Sequence, residues 1–255
     1  LSLGQNGPLV PEFCLGTMTW GRQTDEADAH RQIDLALEHG VNFLDTAEMY
    51  PTNPVMAETR GGTEQVIGNW IAKTGGRDRL ILATKVSGEG SHVIEGGTPP
   101  IDAKRLRSAV EESLTRLQTE HIDLFQLHWP NRGSYQFRRN WSYKPPQDAA
   151  HFRAHVQEIL TEAAALIAEG KIGHIALSNE SAWGLAQWIR ASEEQGLPRV
   201  ASIQNEYSLL ARLPDTDLAE ACAMERVPLL AFSPLAAGLL TGKYAGDVTP
   251  DHSRR

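Results

Sequence analysis

The chain has 255 residues, the size of one large α/β domain or two small ones. Hydrophobic residues at 41% and charged residues at 22% exclude a disordered chain. Lys+Arg number 24 and Asp+Glu 32, a net charge of −8 that argues against nucleic-acid and anionic-membrane partners but leaves room for a local phosphate-binding pocket. Cys14 and Cys222 fall in no CxxC or Cys/His cluster, so neither a disulfide framework nor a bound metal is expected, and a reducing cytoplasm is. The longest apolar stretch, 227–240, is broken by Pro228, Ser233, Pro234 and Gly238 and is too short to span a bilayer. The opening LSLGQNGPLV has no secretory pattern, and its initial Leu leads us to expect that the natural N-terminus lies upstream.

In chain order, FCLGTM (13–18) reads as a strand. DEADAHRQIDLALEH (25–39) reads as a helix with Ala29, Ile33, Ala36 and Leu37 on one face and Gly40 as its stop. VNFLDT (41–46) is a strand, 63–72 a helix, and LILATKV (80–86) a strand of β-branched and aliphatic residues. Asp102 caps a helix running to Leu117, and IDLFQLH (122–128) is the next strand. Thereafter helices at 149–169, 182–192 and 216–224 alternate with strands at 172–177, 200–204 and 228–232.

Regular βα alternation with near-continuous apolar strands predicts either a (β/α)8 barrel or a doubly wound sheet. No GxGxxG follows the first strand, which counts against the latter. Polar residues recur at strand ends: Thr17, Asp45, Lys85, His128, Ser178, Asn179, Gln204 and Ser233. In a barrel these ends share one mouth. We therefore expect a single (β/α)8 TIM barrel domain over 1–255, with seven βα units visible and the eighth lying beyond this sequence. Without that unit the expectation is weak cofactor binding and an unstable barrel. The insertion WPNRGSYQFRRNWSYKPPQD (129–148) is long enough to carry function.

Four residues carry the chemistry: Asp45, Tyr50, Lys85 and His128. Taken singly, each has a plainer reading: a turn cap, a loop aromatic, a salt-bridged lysine and a core histidine. Taken together, neighbouring strands would bring them to one place. A nearby ammonium lowers a tyrosine pKa from about 10, and Asp45 would keep that ammonium charged. His128 adds a second polar contact to a carbonyl oxygen. The set reads as a general-acid site that protonates a forming alkoxide.

The chain resembles the aldo-keto reductase superfamily throughout its length. The likeness rests on LGTMTWG (15–21), GVNFLDTAEMY (40–50), GGTEQVIGNW (61–70), LATKV (82–86), SLTRLQTEHIDLFQLHWP (113–130), GKIGHIALSNE (170–180), IQNEYSLL (203–210) and FSPLAAGLLTGKY (232–244). It is most similar to the bacterial Tas-like reductases and also resembles potassium-channel β-subunits. The resemblance implies reduction of aldehydes or ketones with NADP(H), with Tyr50 as general acid, Lys85 tuning it, Asp45 pairing Lys85 and His128 orienting the carbonyl. It also implies a cofactor site. Ser178, Asn179 and Gln204 would bind the nicotinamide amide, and Phe232 would stack on its ring. Ser233, Pro234, Leu235, Gly238 and Lys243 would line the pyrophosphate, and Arg254 would reach the adenosine. Thr17, Met18 and Asp45 complete the set. NADP over NAD rests on family likeness alone.

Trp20 and Trp129 are expected in the substrate pocket, with Tyr135, Phe137, Trp141 and Tyr143 of the insertion either joining them or packing the loop onto the barrel. Arg132, Arg138 and Arg139 read as a solvated loop face more readily than as an anion site. Two other functions compete. One is a redox sensor that binds nicotinamide cofactor with little turnover. The other is a Schiff-base lyase, which would need Lys85 neutral.

Overall fold

A computed structural model describes residues 1–52, 54, 56–90, 97–137, 139–246 and 249. Among the described residues seven parallel strands form one curled sheet in sequential order, the arrangement of a (β/α)8 barrel. They are β1 (Leu15–Gly16), β2 (Phe43–Asp45), β3 (Ile81–Val86), β4 (Ile122–Leu127), β5 (Ile172–Ser178), β6 (Ile203–Glu206) and β7 (Leu229–Phe232). Helices alternate with them: α1 (Glu26–Glu38), α2 (Gly62–Thr74), α3 (Ala103–Leu117), α4 (Ala149–Ala168), α5 (Ala182–Gln195) and α6 (Asp217–Glu225). Among the described residues no helix is long and apolar enough to cross a membrane.

Four of these helices start where the sequence supplies a side-chain cap. Asp25 accepts from the Asp28 amide at 2.7 Å, Asp102 from Arg105 at 2.7 Å, Asp148 from His151 at 2.9 Å and Ser181 from Gly184 at 3.1 Å. The helices' apolar faces bury one large core against the outside of the sheet, with Ile33, Trp70, Leu106, Leu160 and Trp188 among its members. Trp20 is part of this core, 1% exposed, and its indole N–H donates to Gln32 Oε1 at 3.1 Å. The expectation that it lines the substrate pocket is therefore corrected: the chain turns after β1 and directs the ring outward onto α1 and α2.

Strand alternation creates the inner layers. Leu44, Leu82, Phe125, Leu127, Ile175, Leu177 and Ile203 join the outer core. Their neighbours Phe43, Ala83, Leu124 and Ala176 form a separate apolar floor inside the sheet. Leu3 and Val10, from an N-terminal turn bridged at Ser2 and Leu9, close that floor from below. Two residues further along the same inward face come Asp45, Lys85, Gln126 and Ser178, and His128 follows two residues beyond Gln126. Register keeps them level, since Lys85 is opposite Gln126 and Ser178 opposite Gln204. A period of two thus turns one run of sequence per strand into an apolar floor with a polar layer above it.

Two strands differ from expectation. β1 is only two residues because Phe13 and Cys14 precede the pairing with β2. β6 begins at Ile203, where β7 offers Leu229 as its first partner. Ala201 lies below the ladder instead, donating to Ile175 O at 2.9 Å and packing on the floor.

Candidate active site

A cavity of about 620 Å³ opens at the C-terminal ends of the strands. Asp45, Tyr50, His128 and Trp129 line it, as do Thr17 and Met18 after β1. On the far side it meets Ser178, Asn179, Gln204, Phe232 and Ser233. Lys85 lies beneath, fully buried. Its Nζ donates to Asp45 Oδ2 at 2.5 Å and to Thr46 O at 2.7 Å. It also sits 5.1 Å from the centroid of the Tyr50 ring. The His128 ring meets Tyr50 edge-on at 5.8 Å and packs against Trp129 at 4.9 Å. The four residues therefore converge as expected.

Their electrostatics are set by burial and by one another. For Lys85, burial favours the neutral amine, yet the Asp45 carboxylate, with smaller contributions from Tyr50 and Cys14, outweighs it and raises the pKa. The amine stays protonated, which removes the lone pair that Schiff-base chemistry requires. For Tyr50 the sequence argument is corrected. Burial raises the phenol, Lys85 pulls it down, Asp45 adds to the rise, and the net direction is upward. The phenol remains a proton carrier through the neutral range. Burial, reinforced by the Lys85 charge, drives His128 well below the ordinary histidine value. The ring is neutral at pH 7.

That depression has a measurable consequence. Below about pH 6.5 the unfolded chain takes up a proton at this position that the folded chain refuses, so stability falls with pH from there. His128→Asn is expected to flatten the slope of Tm between pH 7 and pH 5. Parallel slopes in the two proteins would contradict a neutral, buried His128.

Asp45 carries more than the lysine. Its Oδ1 accepts from Gln126 Nε2 and Gln204 Nε2, each at 2.9 Å. Thr17 donates its hydroxyl to Asp45 O at 2.9 Å, so that hydroxyl is committed to the backbone. Ser178 Oγ likewise donates to Gln204 O at 2.9 Å. Asn179 takes a left-handed backbone at φ 53°, which Asn tolerates, and its Nδ2 donates to His128 O at 2.8 Å. Its Oδ1 is buried without a partner among the described residues.

Of the remaining predicted cofactor residues, Pro234, Leu235, Gly238 and Lys243 do not line the cavity. They lie past Ser233, on and around the 3-10 segment Ala236–Thr241, where the Lys243 ammonium stands 5.2 Å from the Tyr244 ring. Arg254 lies outside the described residues.

The first part of the insertion, 129–136, is docked on the barrel, whereas 139–148 is exposed apart from the half-buried Tyr143. Arg132 grips Glu180 through both guanidinium nitrogens and stacks 4.3 Å from the Phe152 ring centroid. Gly184 makes this possible, because a Cβ there would fall 2.1 Å from Glu180 Oε1. The expected solvated face is thus corrected for Arg132, while Arg139 borders the cavity and Arg138 is outside the described residues. Of the loop aromatics, Phe137 borders the cavity and meets Trp129 edge-on at 6.2 Å. Trp141 is 95% exposed, and the Tyr143 hydroxyl donates to Arg132 O at 3.4 Å.

Sequence reasoning missed Gln126 and Glu48. Glu48 is fully buried in the Tyr50 loop. It accepts from Ser87 N at 2.8 Å, from Arg60 at 2.8 Å and from Arg105 at 2.6 Å on both oxygens. An acid inside DTAEMY, with no apolar period to place it outward, was the available signal.

Comparisons with known proteins agree with this fold. The model of the Aldo/keto reductase family matches residues 12–255. Protein Tas of Escherichia coli is 43% identical over 250 residues, covering 96% of this chain and 70% of the relative. The uncharacterized oxidoreductase YrpG of Bacillus subtilis is 34% identical over 247 residues, 94% of this chain and 68% of its own length. Aflatoxin B1 aldehyde reductase member 2 of Rattus norvegicus is 31% identical over 243 residues, 93% of this chain and 55% of its own.

Proposed function

The chain belongs to the aldo/keto reductase family, an oxidoreductase family, and from that premise we propose that it reduces aldehydes or ketones to alcohols with NADPH. The observation that carries the reading is the ion pair of the fully buried Lys85 with Asp45, at 2.5 Å, beneath Tyr50 on a cavity wall. A bound nicotinamide cofactor supplies the hydride. The residues present suit such a group. Asn179 Oδ1 is an unpaired buried acceptor at the cavity, matched to the N–H of a carboxamide. Gln204, whose N–H is committed to Asp45, has its Oε1 left as a second acceptor. Phe232 gives an aromatic face on the same side. NADPH is preferred to NADH on the family resemblance.

The chain's own residues then do three things. Neutral His128 donates from Nε2 to the substrate carbonyl and holds it against Tyr50. Tyr50 gives its proton to the oxygen as negative charge develops there. The Lys85 charge offsets the phenolate left behind, and Asp45 keeps Lys85 charged and aimed. Trp129, Phe137, Met18 and Met49 make the rest of the wall largely apolar, which suits a hydrophobic or aromatic carbonyl. The free thiols of Cys14 and Cys222 support a reducing compartment, the cytoplasm.

NADPH oxidation with a reactive aromatic aldehyde tests the proposal. Tyr50→Phe is expected to lower kcat by about 10²–10⁴-fold while cofactor affinity, read by fluorescence titration, holds. Equal turnover by the variant would remove Tyr50 as the acid. Cofactor binding by the wild type with no reduction across a broad carbonyl panel would favour the redox-sensor reading instead.

A further inference from the structure

Gln126 is fully buried on β4, level with Lys85 on β3, and does not line the cavity. Its Nε2 donates to Asp45 Oδ1 at 2.9 Å. Only the NH2 of the amide can face a carboxylate, so the assignment follows from the partner. The amide oxygen is then left buried with no partner among the described residues. An unpaired buried acceptor is unfavourable, so for packing alone a methionine of equal length would serve better. The amide has another use. Asp45 divides its carboxylate: Oδ2 meets Lys85, and Oδ1 meets the amides of Gln126 and Gln204.

We propose that Gln126 is a positioning residue that fixes the Asp45 carboxylate with Oδ2 toward Lys85 and draws off part of its charge, leaving more of the Lys85 field to act on Tyr50. The proposal rests on the carbonyl-reduction reading for its consequence in turnover, but its electrostatic core does not need turnover to be seen. The charged and titratable groups around Tyr50 are Lys85 from β3, Asp45 from β2 and His128 from β4, and the Cys14 thiol ahead of β1 also feels the Lys85–Asp45 pair. His128 is neutral and Lys85 stays protonated, so Asp45 is the charge that Gln126 can modulate. Every donor taken from Asp45 leaves its negative charge more fully felt at the phenol, which raises the phenol's titration midpoint.

The test uses 13C-tyrosine-labelled protein, with the Tyr50 resonance assigned by its loss in Tyr50→Phe. Gln126→Met, which keeps the length and removes the donor, is expected to raise the Tyr50 midpoint by roughly half a pH unit or more. Gln126→Glu, which sets a second carboxyl against Asp45, is expected to raise it further. In aldehyde reduction, Gln126→Met is expected to lower kcat about tenfold with KM within about twofold. A merely structural role would move neither the midpoint nor kcat alone, and the methionine would satisfy it. An unmoved midpoint in a folded variant overturns the proposal, as does a phenol that stays protonated to alkaline unfolding in all three proteins. If Gln126→Met does not fold, Gln126→Glu decides by the same criterion. A wild type without turnover whose midpoint still moves would sink the reduction reading and uphold the positioning role. Normal turnover with a fixed midpoint would do the reverse.

Discussion

Lys85→Met is expected to abolish aldehyde reduction and to lower Tm on the order of 10 °C, whereas adding Asp45→Asn restores most of the stability and none of the activity. The reasoning starts from burial. Lys85 is wholly enclosed and donates hydrogen bonds to Asp45 Oδ2 and Thr46 O. Removing one partner of a buried ion pair costs about 3–5 kcal/mol, because the other charge is left uncompensated. For a chain of this length each kcal/mol is about 2–4 °C of Tm. The Gln126 and Gln204 amides still serve Oδ1, so the penalty falls on Oδ2 alone and belongs at the lower end of that range. Asn at position 45 removes the stranded charge while keeping an oxygen for the two glutamines, and the double variant therefore recovers stability. It has no cation beneath Tyr50, so the phenolate formed in proton transfer is unsupported. Thermal melts beside kcat separate the two effects. Stability and activity recovering together in the double variant would mean that the pair serves the fold and not the chemistry.

How much of this could be read from sequence depends on what kind of physics sets each feature. The start of α3 was legible because a cap is local: Asp102 does its work within three residues. The convergence of Asp45, Lys85 and His128 was legible because sequential parallel strands put successive strand ends side by side. Trp20 was not, because its direction depends on a turn between β1 and α1 and on the hydrogen bond of its indole to Gln32 of α1. The start of β6 was set by the length of β7, a partner 26 residues away. The Tyr50 pKa was misjudged because a one-dimensional argument counted the ammonium and omitted desolvation, which is the larger influence. Gln126 and Glu48 were missed for a related reason. A buried polar side chain shows its purpose only through its partners, and theirs come from α3, β2 and the segment ahead of α2.

Glu48 gives the second large expectation. Glu48→Gln is expected to cost about 3 kcal/mol at pH 7 and to make the gap from the wild type close as pH falls. Burial alone would raise this carboxyl, but the charges of Arg105 and Arg60 and the Ser87 amide outweigh it and hold it below the usual glutamate range. A neutral amide cannot balance two guanidiniums, and leaving them beside it is the costly half of a broken buried pair. Arg60 is 30% exposed and Arg105 12%, so water recovers part of the loss and keeps the cost toward the lower bound. The pH sign follows from the lowered folded value. The stabilisation is complete above the unfolded glutamate pKa near 4.3 and disappears as pH drops through the lower folded value. Melts at pH 7, 5 and 3.5 should show the two curves converging only over the last interval, and a gap independent of pH would show that the charge is not what matters. Activity carries a further distinction. Glu48 ties the loop bearing Tyr50 to Ser87 after β3 and to Arg105 on α3, yet it touches no reacting group. Its loss should therefore displace the phenol without removing it. Misplacement of about 1 Å costs up to about 10²-fold, so kcat in Glu48→Gln should fall between the wild-type value and that of Tyr50→Phe.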